Sequence, residues 1–313
     1  MFLDQLEALG ASQETIALAH GILLGDKSQF STEMIQNFRI AGMSHLLAVS
    51  GLHVGIIMSI IFVIFKPIEW LVLSLTTIPA LNCRIGSPIV TYILGNVTRF
   101  SVILFTSLYV FWIGAPPSAV RATLMLSLCL VGWMFRRPAS TERCLLFAAL
   151  LLLAWDPWNI TQVGFQLSFL SVGGILLFRP WLTDHHLPWV WKVILLSVAA
   201  QSLTIPIVAY YFHQIPFIGW LQGLLVVPLL PVFVTLLLLV FCSPLFSWLI
   251  VLVEGMSSWM GYVAEMIGNI ETYLIGGHLY FYPTWYEALM AEIGVLAFIL
   301  VLRMRVPSSK TDC

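Results

Sequence analysis

Ser50 and His53 stand three residues apart in the stretch Ser44 to Ile57, SHLLAVSGLHVGII, close enough on a helix to touch. A hydroxyl beside an imidazole is the minimum of a nucleophile and its base, the start of an intramembrane hydrolase. Such an enzyme also needs an orienting acid and an oxyanion hole, and no apolar segment offers an obvious buried carboxylate. His45 and His53 are about 80° apart around a helix and roughly 12 Å apart along it, too far to share one metal ion unaided. Two other readings remain: these groups hydrogen-bond neighbouring helices, or they line a wet conduit inside a bundle. Gly51 and Gly55, at small-xxx-small spacing, allow helices to approach closely or a helix to break.

Arg121 is the only charge between Arg99 and Arg136 and lies in GAPPSAVRATLM. Pro116 and Pro117 force a turn, Ser118 can cap the following helix, and Arg121 then falls about one turn inside it. It either snorkels to lipid headgroups or places a guanidinium at the mouth of a polar path, where it can meet a phosphate bidentately. Gln166 and Ser168 in VGFQLSFL and Gln201 in AAQSLTIPI sit in apolar segments, where a buried amide usually bonds another helix. Pro206, Pro228 and Pro231 interrupt helices and free carbonyls, as in transporter helices that line a cavity. Asp156-Pro157 reads as an interfacial turn, and Asp26 in LLGD as an element of a rim. The triplet Asp184, His185, His186 has no partner motif, and the five cysteines lack metal-ligand spacing, so no metal or cofactor is expected.

The elements that must hold these groups are read from hydropathy. The chain has 313 residues, 60% hydrophobic and 9% charged, against about 25% charged in a soluble domain. Its apolar runs approach the roughly 20 residues that cross a hydrocarbon core. The expected fold is an all-α polytopic transmembrane bundle of about nine spans with re-entrant or interfacial helices. Spans are expected near 46–65, 89–113, 117–135, 144–158, 160–178, 190–212, 216–241, 245–271 and 286–302. Residues 68–81 form a short segment ended by Pro79, read as interfacial or re-entrant. In 254–271, Met256, Trp259, Met260, Val263, Met266, Ile267 and Ile270 make one apolar stripe. That amphipathic helix lies along the interface, lines a polar cavity, or packs beside the bundle.

Residues 1–44 read as short polar helices outside the membrane, capped by Ser12 and Ser31, broken at Gly25-Asp26 and ended by a left-handed Gly42. Residues 45–302 form the transmembrane domain and 303–313 a basic cytoplasmic tail. Three arginines between Arg136 and Arg143 assign that loop to the cytoplasm. Lys66 and Arg84 then lie inside and the N-terminus outside, unless 68–81 crosses and reverses the N-terminus. The net charge of -1 lacks the basic excess of a tight nucleic-acid binder.

An ordered series of motifs resembles the membrane (competence) domain of the ComEC-type DNA-uptake channel family. GILLGDKS comes first, then AGMSHLLAVSGLHVGII, GAPPSAVRATLM, DPWNITQVGFQLSFLSVGGILL, AAQSLTIPIVAYYF and LLVVPLLP, across roughly residues 20–235. The resemblance implies a multi-pass channel in the bacterial inner membrane that passes single-stranded DNA inward during natural transformation, with no catalysis of its own. Its implied partners are the DNA strand, the lipid bilayer, separate DNA-binding, nuclease and motor proteins, and further copies in a homo-oligomer.

His45, Ser50, His53, Arg121, Gln166, Ser168 and Gln201 are the expected polar lining. Gly51, Gly55, Pro206, Pro228 and Pro231 are the expected packing and hinge positions. Trp112, Phe165, Phe169, Tyr210, Tyr211 and Phe212 are candidates for stacking bases, worth about 1–3 kcal/mol each. The family often adds an oligonucleotide-binding fold and a metallo-β-lactamase-like domain. This sequence shows neither, has no His-x-His-x-Asp-His cluster, and carries Gly223 where the family usually has Asn. The rival functions are the Ser50/His53 hydrolase and a remnant that transports nothing.

Overall fold

A computed structural model of the chain describes residues 2–26, 28–47, 49–76, 88–137, 139–184, 186–213, 218–275 and 282–305. Among them there are helices and turns and no strand. Three short helices come first: α1 (Phe2–Ala8), α2 (Gln13–Leu23) and α3 (Thr32–Ile40). Longer ones follow: α4 (Gly51–Thr76), α5 (Pro88–Trp112), α6 (Pro117–Met134), α7 (Thr141–Trp155) and α8 (Val163–Leu182). The remainder is α9 (Trp189–Ser202), α10 (Ile205–Phe212), α11 (Trp220–Leu225), α12 (Leu230–Cys242), α13 (Ile250–Ile275) and α14 (Trp285–Arg305).

Five helical stretches are long and apolar enough to cross a membrane: Gly51–Ser74, Pro88–Trp112, Pro117–Met134, Val163–Leu182 and Trp220–Cys242. The pair α9–α10, bent by 54°, makes a sixth if it is one span. All nine expected regions contain helix, but the count of nine spans is not established. Helix α7 has 15 residues, short of the roughly 20 that span hydrocarbon. It stops because Asp156 accepts the Trp158 N–H at 3.0 Å and Pro157 begins a 3-10 turn. The perimeter is apolar, with Phe111 80% and Trp155 89% exposed, as lipid rather than water requires.

Residues 68–76 are not a separate interfacial segment. They continue α4, which runs through Pro67 without ending. One missing amide bond is tolerated there while flanking groups hold the helix. Lys66 Nζ meets Glu69 Oε1 at 2.8 Å, and Thr98 of α5 donates to Glu69 Oε2 at 2.8 Å. Residues 77–87, including Pro79 and Arg84, lie outside the described residues. The Glu69–Thr98 bond and the Phe65–Phe105 ring contact at 5.5 Å make α4 and α5 antiparallel. At the far end of α5 from Trp112, the Tyr92 hydroxyl donates to Met134 O at 2.5 Å, and Arg136 lies 4.3 Å from the Tyr92 ring centroid. Lys66, Glu69, Tyr92 and Arg136 thus share one end of the bundle.

The N-terminal caps form as the sequence indicates: the Ser12 side chain accepts Thr15 N–H, Ser31 accepts Met34 N–H, and Gly42 has φ 71°. Every residue of α2 from Thr15 to Leu23 is buried. A short helix with small and apolar residues all round is built for burial, and α2 shares the main core with α12 and α13. Ile16, Leu18 and Ile22 pack in one cluster with Leu230, Phe233, Leu237, Met260 and Ile267. Ser12 N–H donates to Glu254 Oε1 at 2.7 Å, and the Thr15 and Ser257 hydroxyls bond each other. The apolar stripe of α13 is therefore packed into the bundle. Trp259 departs from that stripe: it is 42% exposed, and its indole N–H donates to Leu225 O at 3.2 Å.

Candidate functional site

The N-terminal ends of α4, α6 and α8 meet, and most of the expected polar groups gather there. Ser50 precedes α4, and its backbone N–H donates to His53 Nδ1 at 2.9 Å; its hydroxyl lies 3.3 Å from the same nitrogen. A side chain three residues into a helix that reaches back to the capping amide closes a capping box, a role usually filled by Glu or Gln. Because Nδ1 accepts, the neutral ring carries its proton on Nε2. His53 is fully buried, and its bond to the Ser50 amide holds the turn that opens α4.

Ser118 is the second residue of α6 and does not cap it. Pro117 opens that helix with its φ already set, and the Ser118 hydroxyl donates instead to Val49 O at 2.6 Å. That bond ties the start of α6 to the turn before α4. Gly51 completes the contact: a Cβ there would lie 3.3 Å from Ala122 Cβ, closer than ordinary packing. Gly55 is less constrained, with Leu126 Cδ1 at 4.0 Å from the same hypothetical atom.

Arg121 is 6% exposed and does not snorkel. Its Nε and Nη2 donate to Ser168 Oγ of α8 at 3.3 and 3.2 Å. The guanidinium lies over Gly164, where an added Cβ would come 3.1 Å from Nη2. Sequence reasoning named Arg121 and Ser168 separately. It missed Gly164, whose lack of a side chain makes their approach possible.

Among the described residues Gln166 bonds no other long helix. Its Nε2 donates to Ile160 O at 2.9 Å in the turn before its own helix, and its buried Oε1 has no hydrogen-bond partner among the described residues. Gln201 is half-buried in the last turn of α9, beside the 54° bend. Pro206 is the buried second residue of α10, on the far side of that bend. Pro228 lies in the 3-10 turn between α11 and α12, and Pro231 is the second residue of α12. The Leu225 carbonyl at this break is satisfied by Trp259 rather than left facing a cavity. The His45 side chain lies outside the described residues.

Of the stacking candidates, Phe165 is buried with its ring 4.4 Å from that of Phe169, while Tyr211, Phe212 and Trp112 are exposed. Gly223 is held by packing, since a Cβ would fall 1.6 Å from Ser197 Oγ. Asp26 forms a local turn, accepting the Ser28 N–H at 2.9 Å and hydroxyl at 3.0 Å, which holds its carboxyl below the ordinary range. Among the buried carboxylates, Glu69 lies on the same helix as His53, beyond the end of the expected 46–65 span. It stands sixteen residues beyond His53, about 24 Å along α4, and cannot orient that imidazole. Among the described residues no group of three His, Cys, Asp or Glu side chains gathers to hold a metal ion.

A family model described as Competence protein matches residues 22–306. The chain is similar to ComE operon protein 3 of Bacillus subtilis, 27% identical over 272 residues, covering 84% of this chain and 31% of that protein. It is similar to Recombination protein 2 of Haemophilus influenzae, 25% identical over 281 residues, covering 85% of this chain and 33% of that protein. An uncharacterized protein of Aquifex aeolicus is 29% identical over 201 residues, 64% of this chain and 41% of that one. The chain thus spans well under half the length of these curated relatives. No solved structure matches it.

Proposed function

The chain belongs to the competence protein family, and on that premise we propose that it forms a membrane conduit for inward passage of single-stranded DNA during natural transformation. The observation that carries this reading is the meeting of three candidate spans at one end, with Ser50, His53, Ser118, Arg121 and Ser168 drawn together in an otherwise apolar bundle. Polar and charged groups at membrane depth are costly, and they are retained where they serve a path or a ligand. The arginines of 136–143 assign the opposite end to the cytoplasm, so this end is the extracytoplasmic mouth in the inner membrane. His45, Gln166 and Gln201 complete the proposed lining. Gly51, Gly55 and the prolines at 206, 228 and 231 supply close packing and bends. Residues 1–44 are the N-terminal unit, 45–302 the conduit and 303–313 the cytoplasmic tail. DNA-binding, nuclease and motor proteins of the uptake machinery are its proposed partners.

The geometry gives the hydrolase rival little support. The Nδ1 lone pair that would take the Ser50 proton is already occupied by the Ser50 amide, and a base must be free to accept. Complementation tests transport against the remnant reading. A deletion strain that regains transformation with this chain, alone or with its soluble partners, supports the conduit. Transformation unchanged by the deletion contradicts it. Ser50→Ala should leave uptake within a few-fold of wild type, whereas a nucleophile's loss would abolish it.

A further inference from the structure

We infer that Arg121 and the first turn of α8 form an oxyanion site, built to hold one phosphodiester group at the mouth of the bundle. The inference rests on the conduit reading for its ligand but not for its chemistry. Arg121 is nearly enclosed, at 6% exposure. Among the described residues its side chain has one partner, the Ser168 hydroxyl, and no carboxylate lies within ion-pair distance. A buried cation without a counter-charge is strongly unfavourable.

The placement compounds the cost. Arg121 sits near the start of its own helix and lies against Gly164, the second residue of α8. Helix N-termini carry a partial positive charge, which repels a cation and attracts an anion. Neither helix has a side-chain cap; the Phe165 and Gln166 amides already donate to Gln162 O, and those of Ala119 and Val120 to Pro116 O, which leaves the Val163 and Gly164 amides at the start of α8 for an outside acceptor. One oxyanion resolves all three problems: it neutralises the guanidinium, accepts its fork of N–H groups, and takes the Val163 and Gly164 amides that open α8. Gly164 is exposed and has no side chain to close the approach. A phosphodiester monoanion fits that set of donors. A strand phosphate and a lipid headgroup phosphate share the chemistry, so the test must separate them.

The full chain in phosphatidylcholine nanodiscs is titrated with labelled oligothymidylate, and with the uncharged methylphosphonate analogue. Wild type should bind the phosphodiester strand at least tenfold more tightly. Arg121→Gln should remove that preference and lower the salt-dependence slope by about 0.7, the share of one single-strand phosphate. If Arg121→Gln does not fold, Gly164→Ala, which crowds Nη2, should weaken binding in the same direction. Equal binding of both strands by wild type, or wild-type preference in either variant, overturns the site. In nanodiscs containing phosphatidylglycerol, loss of strand binding by wild type that Arg121→Gln does not share overturns the strand assignment and makes the occupant a headgroup. Tight binding without uptake in the cell would sink the conduit and leave the site standing.

Discussion

Ser50 and His53 are the residue types of a nucleophile and its base, but their geometry is conformational: an imidazole accepting the amide that opens α4. Gln can play the same part at that position. His53→Gln should therefore retain most of the thermal stability in detergent, while His53→Ala should lose about 0.5–2 kcal/mol for the cap, and more for the space vacated. Equal stability of the two variants would contradict the capping role. The i, i+3 contact was legible because helix geometry alone brings such residues together. The direction of the bond was not, because it depends on where the helix begins. Arg121 and Ser168 were each visible as polar groups in apolar runs. Their pairing across forty-seven residues needed the fold.

At the scale of elements, close crossings depend on glycines that sequence marks only as small residues. A Cβ on Gly174 would stand 2.1 Å from Ala199 O, and one on Gly223 would overlap Ser197 Oγ. Overpacking of this kind costs typically about 1–3 kcal/mol. Gly174→Ala should lower the unfolding midpoint of the purified protein, whereas Gly255→Ala, with nothing within 4 Å of the new atom, should not. Comparable losses at both positions would show that the α8–α9 contact is not as described. The N-terminal caps and Gly42 were readable because their signals are local. The continuation of α4 past Pro67 was not, since proline reads as a stop unless the partners of the flanking residues, here Glu69 and Thr98, are known.

The whole molecule is an apolar-skinned helical bundle with a polar knot at one end and a cationic rim at the other. Its membrane character was plain from composition, because 9% charge cannot cover a soluble surface. The burial of α2 against α12 and α13 was hidden, because its bonds join residues 242 apart, as in Ser12 to Glu254. The central claim is that the knot where α4, α6 and α8 begin opens to water rather than being sealed between helices. With the five native cysteines replaced, single cysteines at Ser50, Arg121 and Ser168 are exposed in intact cells to a membrane-impermeant thiol reagent. Labelling at these sites, with little at lipid-facing Phe111 or Leu150, is the result expected. Inertness at all three, in protein that is folded and inserted, would contradict the account.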